Sequence, residues 1–403
     1  MQTVPITPPV QQVPPLWKPT PDELFIRHGW DGTANGQTDG LSDGHNAEMR
    51  WSALKGHGDL VPVDRFFVRN HGATPRIDPA TWRLRIEGSA VHRSLDLSHQ
   101  DLERLPQHSV VCALECAGNG RAFFAEAEGH RQRAPGTQWR LGAIGVAEWR
   151  GVPLGTLLEM ARVSAYAVDV MPEGLDEPRV RRPLPIGVAR NRDTLVALRM
   201  NGEPLEPDHG FPARIIVPGW VGVASIKWVG RITVSTTPQR SLWSTERYVL
   251  RGIDPSGGPA ATRGLPRGGS GRGTVPPEPP AMLTTQVPKA ALELAWPAVL
   301  PRRRRTILSG RAWSPAGRID RVEIAIRQVG DDRPRRWRTA RLLGANRPRA
   351  WIRFELVWRP PPGSYQLWVR ATDDHGTVQP DEAPWNDGGY LYGAVVPHPV
   401  EVR

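Results

Sequence analysis

Cys112 and Cys116, four residues apart, are the only thiols in a chain of 403 residues. Cys116 opens the stretch Cys116-Ala-Gly-Asn-Gly-Arg121, a turn of small residues in which backbone can approach a bound group closely. A thiolate at that place, next to a permanent cation, is electropositive and partly open, which favours its ionisation. Thiolates are soft donors and suit soft or redox-active metals, so the chemistry offered is that of a reactive thiol or a metal ligand. Two cysteines exclude a disulfide framework and a four-cysteine zinc site. Residues four apart on a strand face the same side, so the pair also fits two reduced core thiols.

The element that must carry this turn is SVVCALEC, an apolar run that reads as a buried strand. TWRLRIEG alternates like a strand, SHQDLERL carries a helix N-cap signal, and PLGTLLEMA reads as a helix opened by Pro153. AYAVDVM, TLVALRM, ARIIVPG and IKWVGRITV read as further strands. Strands predominate without regular βαβ alternation, so residues 61–251 are expected to form an α+β domain. Residues 1–60 read as an N-terminal extension, because DGTANGQTDG and SDGHNAEMR hold few apolar residues to pack. Residues 252–280 are rich in Gly and Pro and read as a linker. Beyond it, ALELAW, TILSGRAW, RVEIAIR, RWRTARLL, WIRFELVW and YQLWVRATD alternate at regular spacing, which predicts an all-β, immunoglobulin-like sandwich over residues 281–403.

The formal net charge is +11, and lysine occurs only at positions 18, 55, 227 and 289, so the positive charge is almost all arginine. Such a protein draws small anions and anionic partners toward it. Arg302–Arg305 is the one basic run, but no aromatic residues or binding motif accompany it, so it reads as a solvated loop and no nucleic-acid partner is expected. No apolar run approaches the roughly 20 residues of a membrane-spanning helix, and no membrane partner is expected. Met1–Thr20 shows no export signal, so the chain as written is expected in the cytoplasm, and in the periplasm if a leader precedes it.

The motifs, in their order, resemble those of the sulfite oxidases and related molybdopterin enzymes. In that family a Cys-Ala-Gly-Asn turn supplies the protein ligand to molybdenum, and Cys116 matches it. The resemblance implies that Arg121 lines the substrate pocket, and that FFVRNH supplies a second pocket arginine, Arg69, with cofactor contacts at Phe67 and His71. MPEGLD places Asp176 near the pterin; DHGFPAR and VPGWVGVASIKW place His209, Arg214 and Lys227 where the family clamps the pyranopterin and its phosphate. LWSTERY carries Tyr248 at the position of the family's active-site tyrosine. The expected cofactor is molybdenum-molybdopterin, and the expected reaction is oxidation of sulfite to sulfate by oxo transfer. These parts form a chemical whole: fixed cations suit a phosphate, forked guanidinium groups suit a small oxyanion, and a phenol can hydrogen-bond to both metal-bound oxygen and substrate. Taken singly, Arg69 and Arg214 also fit salt-bridging arginines, and His71 and His209 also fit structural histidines. Lys227 also fits a snorkelling side chain, and Tyr248 fits interface packing.

Two departures from the family pattern bear on substrate. Gly120 precedes Arg121 where many relatives have two consecutive arginines, and Gly388, in APWNDGGYLYG, stands where animal sulfite oxidases have an arginine near the pocket. The Gly-Asn-Gly turn also resembles the molybdenum subunit of sulfane dehydrogenases, so another reduced sulfur species is the first alternative substrate, ahead of nitrate or a sulfoxide. Neither a His-Pro-Gly-Gly haem-domain signature nor a Cys-x-x-Cys-His site occurs, so no haem is expected in this chain. Electrons are then expected to leave to a separate cytochrome or to oxygen. The resemblance also implies a homodimer formed through the sandwich domain. Outside enzymes, the positive charge leaves one rival, a polyanion-binding scaffold with a decayed pocket.

Overall fold

The computed structural model describes residues 18–28, 46–129, 133–252, 281–302 and 305–403. The expected α+β character holds: strands dominate, and the longer helices, His99–Arg104 and Leu154–Met160, have only six and seven residues. Each starts where local chemistry directs. Ser98 Oγ accepts from the Asp101 N–H at 3.1 Å while Asp101 Oδ2 accepts from the Ser98 N–H at 2.9 Å, a reciprocal capping box. Pro153 sits at the N-cap of the second helix, where its missing N–H costs nothing.

Two sheets build the catalytic half. One runs in the order Glu203–Pro204, Leu195–Met200, Ile144–Pro153, His108–Glu115, all antiparallel, with Arg214–Ile216 also paired to Leu195–Met200. The other runs Leu95–Ser98, Arg83–Glu87, Val229–Ser235, Asp169–Gly174, Leu184–Pro185, with Arg83–Glu87 and Val229–Ser235 parallel. Arg83–Glu87 alternates as its sequence directs, with Leu84 and Ile86 inward and Arg83 and Arg85 outward. His108–Glu115 is buried mainly in its second half and ends one residue before Cys116, so the cysteine opens a loop rather than closing a strand. Two strands begin later than their apolar runs: Asp169 starts one, and Val229 starts another, leaving Lys227 and Trp228 ahead of it.

The second half is the expected sandwich. A four-stranded sheet, Lys289–Leu292, Thr306–Trp313, Trp351–Trp358 and Arg341–Leu343, faces a five-stranded one, Ala298–Leu300, His398–Val402, Gly363–Asp373, Ile319–Gln328 and Trp337–Thr339. Leu308, Phe354, Ile324 and Leu367, two from each sheet, pack in one core. RWRTARLL divides into Trp337–Thr339 and Arg341–Leu343, which join different sheets, so this one run crosses from one layer to the other.

The structure differs from expectation at the N-terminal extension. Phe25–His28 pairs antiparallel with Asn46–Met49, Phe25 and Ala47 are buried, and Met49 and Leu54 lie in the same core as Trp313, Trp351 and Val396. The segment is tied down by backbone and carboxylate rather than by apolar content. Ala47 and Val68 exchange hydrogen bonds at 3.0 and 2.9 Å, and Glu48 accepts from the backbone of Arg140 and Gly142. DGTANGQTDG lies outside the described residues, as does the linker beyond Gly252 and the centre of the Arg302–Arg305 run.

Candidate active site

The turn that starts at Cys116 is rigid. Asn119 N–H bonds Cys116 O at 2.9 Å, Arg121 N–H bonds Gly118 O at 2.9 Å, and Asn119 Oδ1 accepts from Ala143 N–H at 3.1 Å. Gly120 takes φ +95°, and a Cβ there would lie 2.9 Å from the Tyr392 side chain, so the turn demands glycine. At Gly118 a Cβ would meet the folded-back Arg121 guanidinium at 2.6 Å.

Two spaces meet at this turn. A cleft of about 730 Å³ is bordered by Phe67, Arg69, His71, Cys116, Asp176, His209, Arg214, Lys227 and Tyr248, which are all the sequence-derived candidates except Arg121. Arg121 borders a wider funnel of about 1250 Å³ together with Arg69, His71, Cys116 and Tyr248. The candidates scattered over 180 positions therefore form one place, and four of them stand at the junction of cleft and funnel.

The cleft is rich in cations that lack anionic partners. Arg214 is buried and donates only to carbonyls, His209 O at 2.9 Å and Ser225 O at 3.0 Å, and its Nε has no partner. Lys227 Nζ donates to Asp208 O at 2.8 Å and to Asn70 Oδ1. Among the described residues neither cation is paired with a carboxylate. Burial pulls Lys227 down to about 7 and Arg214 down to about 9. Burial, reinforced by Lys18, Lys227 and Arg214, pushes His209 well below the usual histidine range, and burial raises the Asp176 carboxyl. A bound anion would reverse these costs for Lys227, Arg214 and His209, and would raise the Asp176 carboxyl further. The donor set fits a phosphate-bearing group: an orphaned guanidinium N–H and a lysine held only by neutral oxygens.

On the funnel side, Arg121 Nη1 donates to Thr137 O at 2.9 Å, its Nε donates to Gly388 O at 3.1 Å, and the guanidinium lies over the Tyr390 ring. Tyr390 stacks on Tyr248 with centroids 5.2 Å apart. His71 Nε2 lies 2.6 Å from Tyr248 Oη. Burial, with Arg69, Arg247 and Lys227 nearby, drives the His71 pKa far down, and burial drives that of Tyr248 up. His71 and Tyr248, both held in their neutral forms by burial, share one hydrogen bond.

Several residues at the site escaped the sequence reading. Asn70 lies between Arg69 and His71 and Asp208 opens DHGFPAR directly before His209, so only taking every polar member of each motif would have found them. Asp208 is a buried hub: its carboxylate accepts from Lys18 N–H at 2.8 Å, Asn70 Nδ2 at 3.0 Å and Thr74 Oγ1. Lys18 Nζ donates to Phe66 O at 2.8 Å and lies 3.4 Å from His209 Nε2, and burial lowers it to about 8. Tyr390, Arg247 and Trp243 wall the funnel. Trp243 and Arg247 stand inside LWSTERY and Tyr390 inside APWNDGGYLYG, whereas no local pattern marks Lys18.

Residues 71–243 match the family model described as the oxidoreductase molybdopterin binding domain. The chain is 32% identical to mitochondrial sulfite oxidase of Mus musculus over 354 residues, covering 84% of this chain and 60% of that one. It is 34% identical to sulfite oxidase of Gallus gallus, covering 82% of this chain and 71% of the relative. The chain thus spans about 60% of the length of the mammalian relatives it matches. The crystal structure of the sulfane dehydrogenase SoxCD from Paracoccus pantotrophus superposes with a TM-score of 0.73 at 25% identity, covering 93% of this chain and 90% of that one. A molybdopterin-binding oxidoreductase fold joined to a β-rich domain is what these likenesses share with the site just described. The chain belongs to the sulfite oxidase family of molybdopterin oxidoreductases.

Proposed function

We propose that this protein oxidises sulfite to sulfate, with molybdopterin seated in the cation-lined cleft and its molybdenum held by the Cys116 thiolate. The observation that carries the reading is the junction: Cys116, Arg69, His71 and Tyr248 border both cleft and funnel. When bound, the cofactor would supply the two-electron redox chemistry and the transferred oxygen. The chain's own residues do the rest. Arg214, Lys227 and His209 bind the phosphate, and Phe67 and Asp176 flank the pterin. Arg69 and Arg121 draw the oxyanion down the funnel and orient it with their forked guanidinium groups. Tyr248, a neutral phenol hydrogen-bonded to His71, stands beside them as a hydrogen-bonding partner for the substrate. Sulfite and water become sulfate, two protons and two electrons, and the electrons pass to a separate cytochrome or to oxygen. A two-fold homodimer through the sandwich is part of this reading.

One observation favours a second substrate. Gly388 offers the funnel a carbonyl, already accepting from Arg121, and no side-chain charge. A wall without an arginine at position 388 suits a larger sulfur species such as thiosulfate, which agrees with the sulfane dehydrogenase likeness. The test is molybdenum analysis of purified protein, then ferricyanide reduction with sulfite or thiosulfate on the same sample. Near-stoichiometric metal and sulfite turnover are expected. Turnover on thiosulfate alone moves the assignment to the second reading, and protein without metal, from a host that makes the cofactor, overturns both.

A further inference from the structure

The residue before Cys116 is a buried carboxylate, Glu115, only 2% exposed. Its Oε1 accepts from Lys289 Nζ at 2.6 Å and from Asn119 Nδ2 at 2.9 Å, and its Oε2 accepts from Trp313 Nε1 at 2.9 Å. Lys289 Nζ donates again to Asn119 O at 3.1 Å, and Gln286 Nε2 donates to Glu115 O at 3.0 Å. Glu115 and Asn119 flank the cysteine turn, whereas Lys289 and Trp313 belong to adjacent strands of the sandwich. The second domain therefore grips the turn at both ends: through the side chain preceding Cys116 and through the carbonyl that follows it by three residues.

The chemistry proposed above makes no use of this pair, which borders neither cleft nor funnel. Stability alone explains it poorly, because a buried ion pair costs two desolvations, and apolar residues of the same volume often serve as well. What the pair adds is geometry. Asn119 N–H bonds Cys116 O, so the four-residue turn moves as one piece, and anchors at 115 and 119 determine where the Cys116 side chain points.

We propose that Lys289 and Glu115 are positioning residues, and that the sandwich domain aims the Cys116 thiolate at the metal. This inference rests on Cys116 being the ligand. Outer partners of metal ligands typically alter metal affinity by roughly 10–100-fold when removed. In holoenzyme, Lys289→Met is expected to retain molybdenum roughly 10–100-fold less well and to shift the thiolate-to-metal charge-transfer absorption. Lys289→Arg, which keeps the cation, is expected to recover part of both. If Lys289→Met fails to fold, the double variant Glu115→Gln/Lys289→Met removes both charges and leaves no stranded carboxylate, and it is expected to show the same shifted band. Wild-type band position and metal retention in whichever of these variants folds, with only a lower Tm, would overturn the inference while leaving the ligand assignment standing. A Cys116→Ser protein that keeps its metal would overturn the assignment itself, and this inference with it.

Discussion

Tyr248 shows how closely one side chain at the site is specified. It holds φ +57°, a conformation a bulky residue seldom adopts, and from there its hydroxyl reaches His71 Nε2 while its ring stacks on Tyr390. Tyr248→Phe removes only the donor. Molybdenum content should stay at the wild-type level while kcat/KM falls by about one to two decades, the worth of a hydrogen bond to a charged substrate. An unchanged kcat/KM would remove the tyrosine from the chemistry. Lys227 carries a pH prediction. With its pKa brought down to about 7, it is charged below that pH and neutral above it in the cofactor-free protein. A bound anion favours the charged form, so binding above pH 7 requires proton uptake and weakens by up to about tenfold per pH unit. Sulfate, whose own charge is constant from pH 6 to 9, should therefore raise the Tm of cofactor-free protein more at pH 6 than at pH 9. Lys227→Met should flatten the difference, and a pH-independent wild-type response would refute the role. Residues with a local signature, such as Cys116 in its small-residue turn, were legible in the sequence. Lys18 and Lys289 were not, because each acts on residues 170 to 190 positions away and nothing beside it in the chain announces the contact.

At the scale of elements, alternation and capping were readable. Thr306–Trp313 and Trp351–Trp358 occupy the full apolar runs that foretold them, because a two-residue period on a sandwich leaves one face for the core. The buried strand Asn46–Met49 was not readable. Its polar members accept hydrogen bonds from partners remote in sequence: Asn46 Oδ1 from Asn70 N–H, and Glu48 from Arg140 and Gly142. Polar composition misleads wherever a carboxylate or amide oxygen finds its donors indoors. The cysteine turn yields the prediction at this scale. Gly120→Ala must tolerate a positive φ and a Cβ 2.9 Å from Tyr392, so it should lower Tm and reduce molybdenum content together. Normal metal loading in this variant would show that the turn adapts and that its glycine is dispensable.

Across the whole molecule, the two halves are joined by polar contacts as much as by apolar ones. Arg311, wholly buried in the sandwich, pairs with Glu293 at 2.9 Å, donates to Gly58 O at 2.8 Å and His57 O at 3.2 Å, and lies over the Trp351 ring. Arg353 pairs with Asp59 at 2.8 Å, and Arg349 with Asp193 at 2.6 Å. Arg311→Met would strand Glu293 and should lower unfolding stability by about 3–5 kcal/mol, read from urea titration. A loss under about 1 kcal/mol would mean that the joint does not depend on this arginine.

The funnel wall has a consequence for biosynthesis. Gly388 O holds Arg121, Tyr390 covers Tyr248, and Leu391 N–H bonds Ala117 O, all from a segment that follows almost every other element in chain order. His398–Val402, later still, closes the sandwich beside Ala298–Leu300 and Gly363–Asp373. A nascent chain folds from its N-terminal side as it emerges. Until these late residues arrive, the pocket has a missing wall and the sandwich a missing strand. Cofactor capture in this cleft would therefore have to wait for residues 386–402, and a ribosome stalled before residue 386 would display a cation-lined groove open along one side.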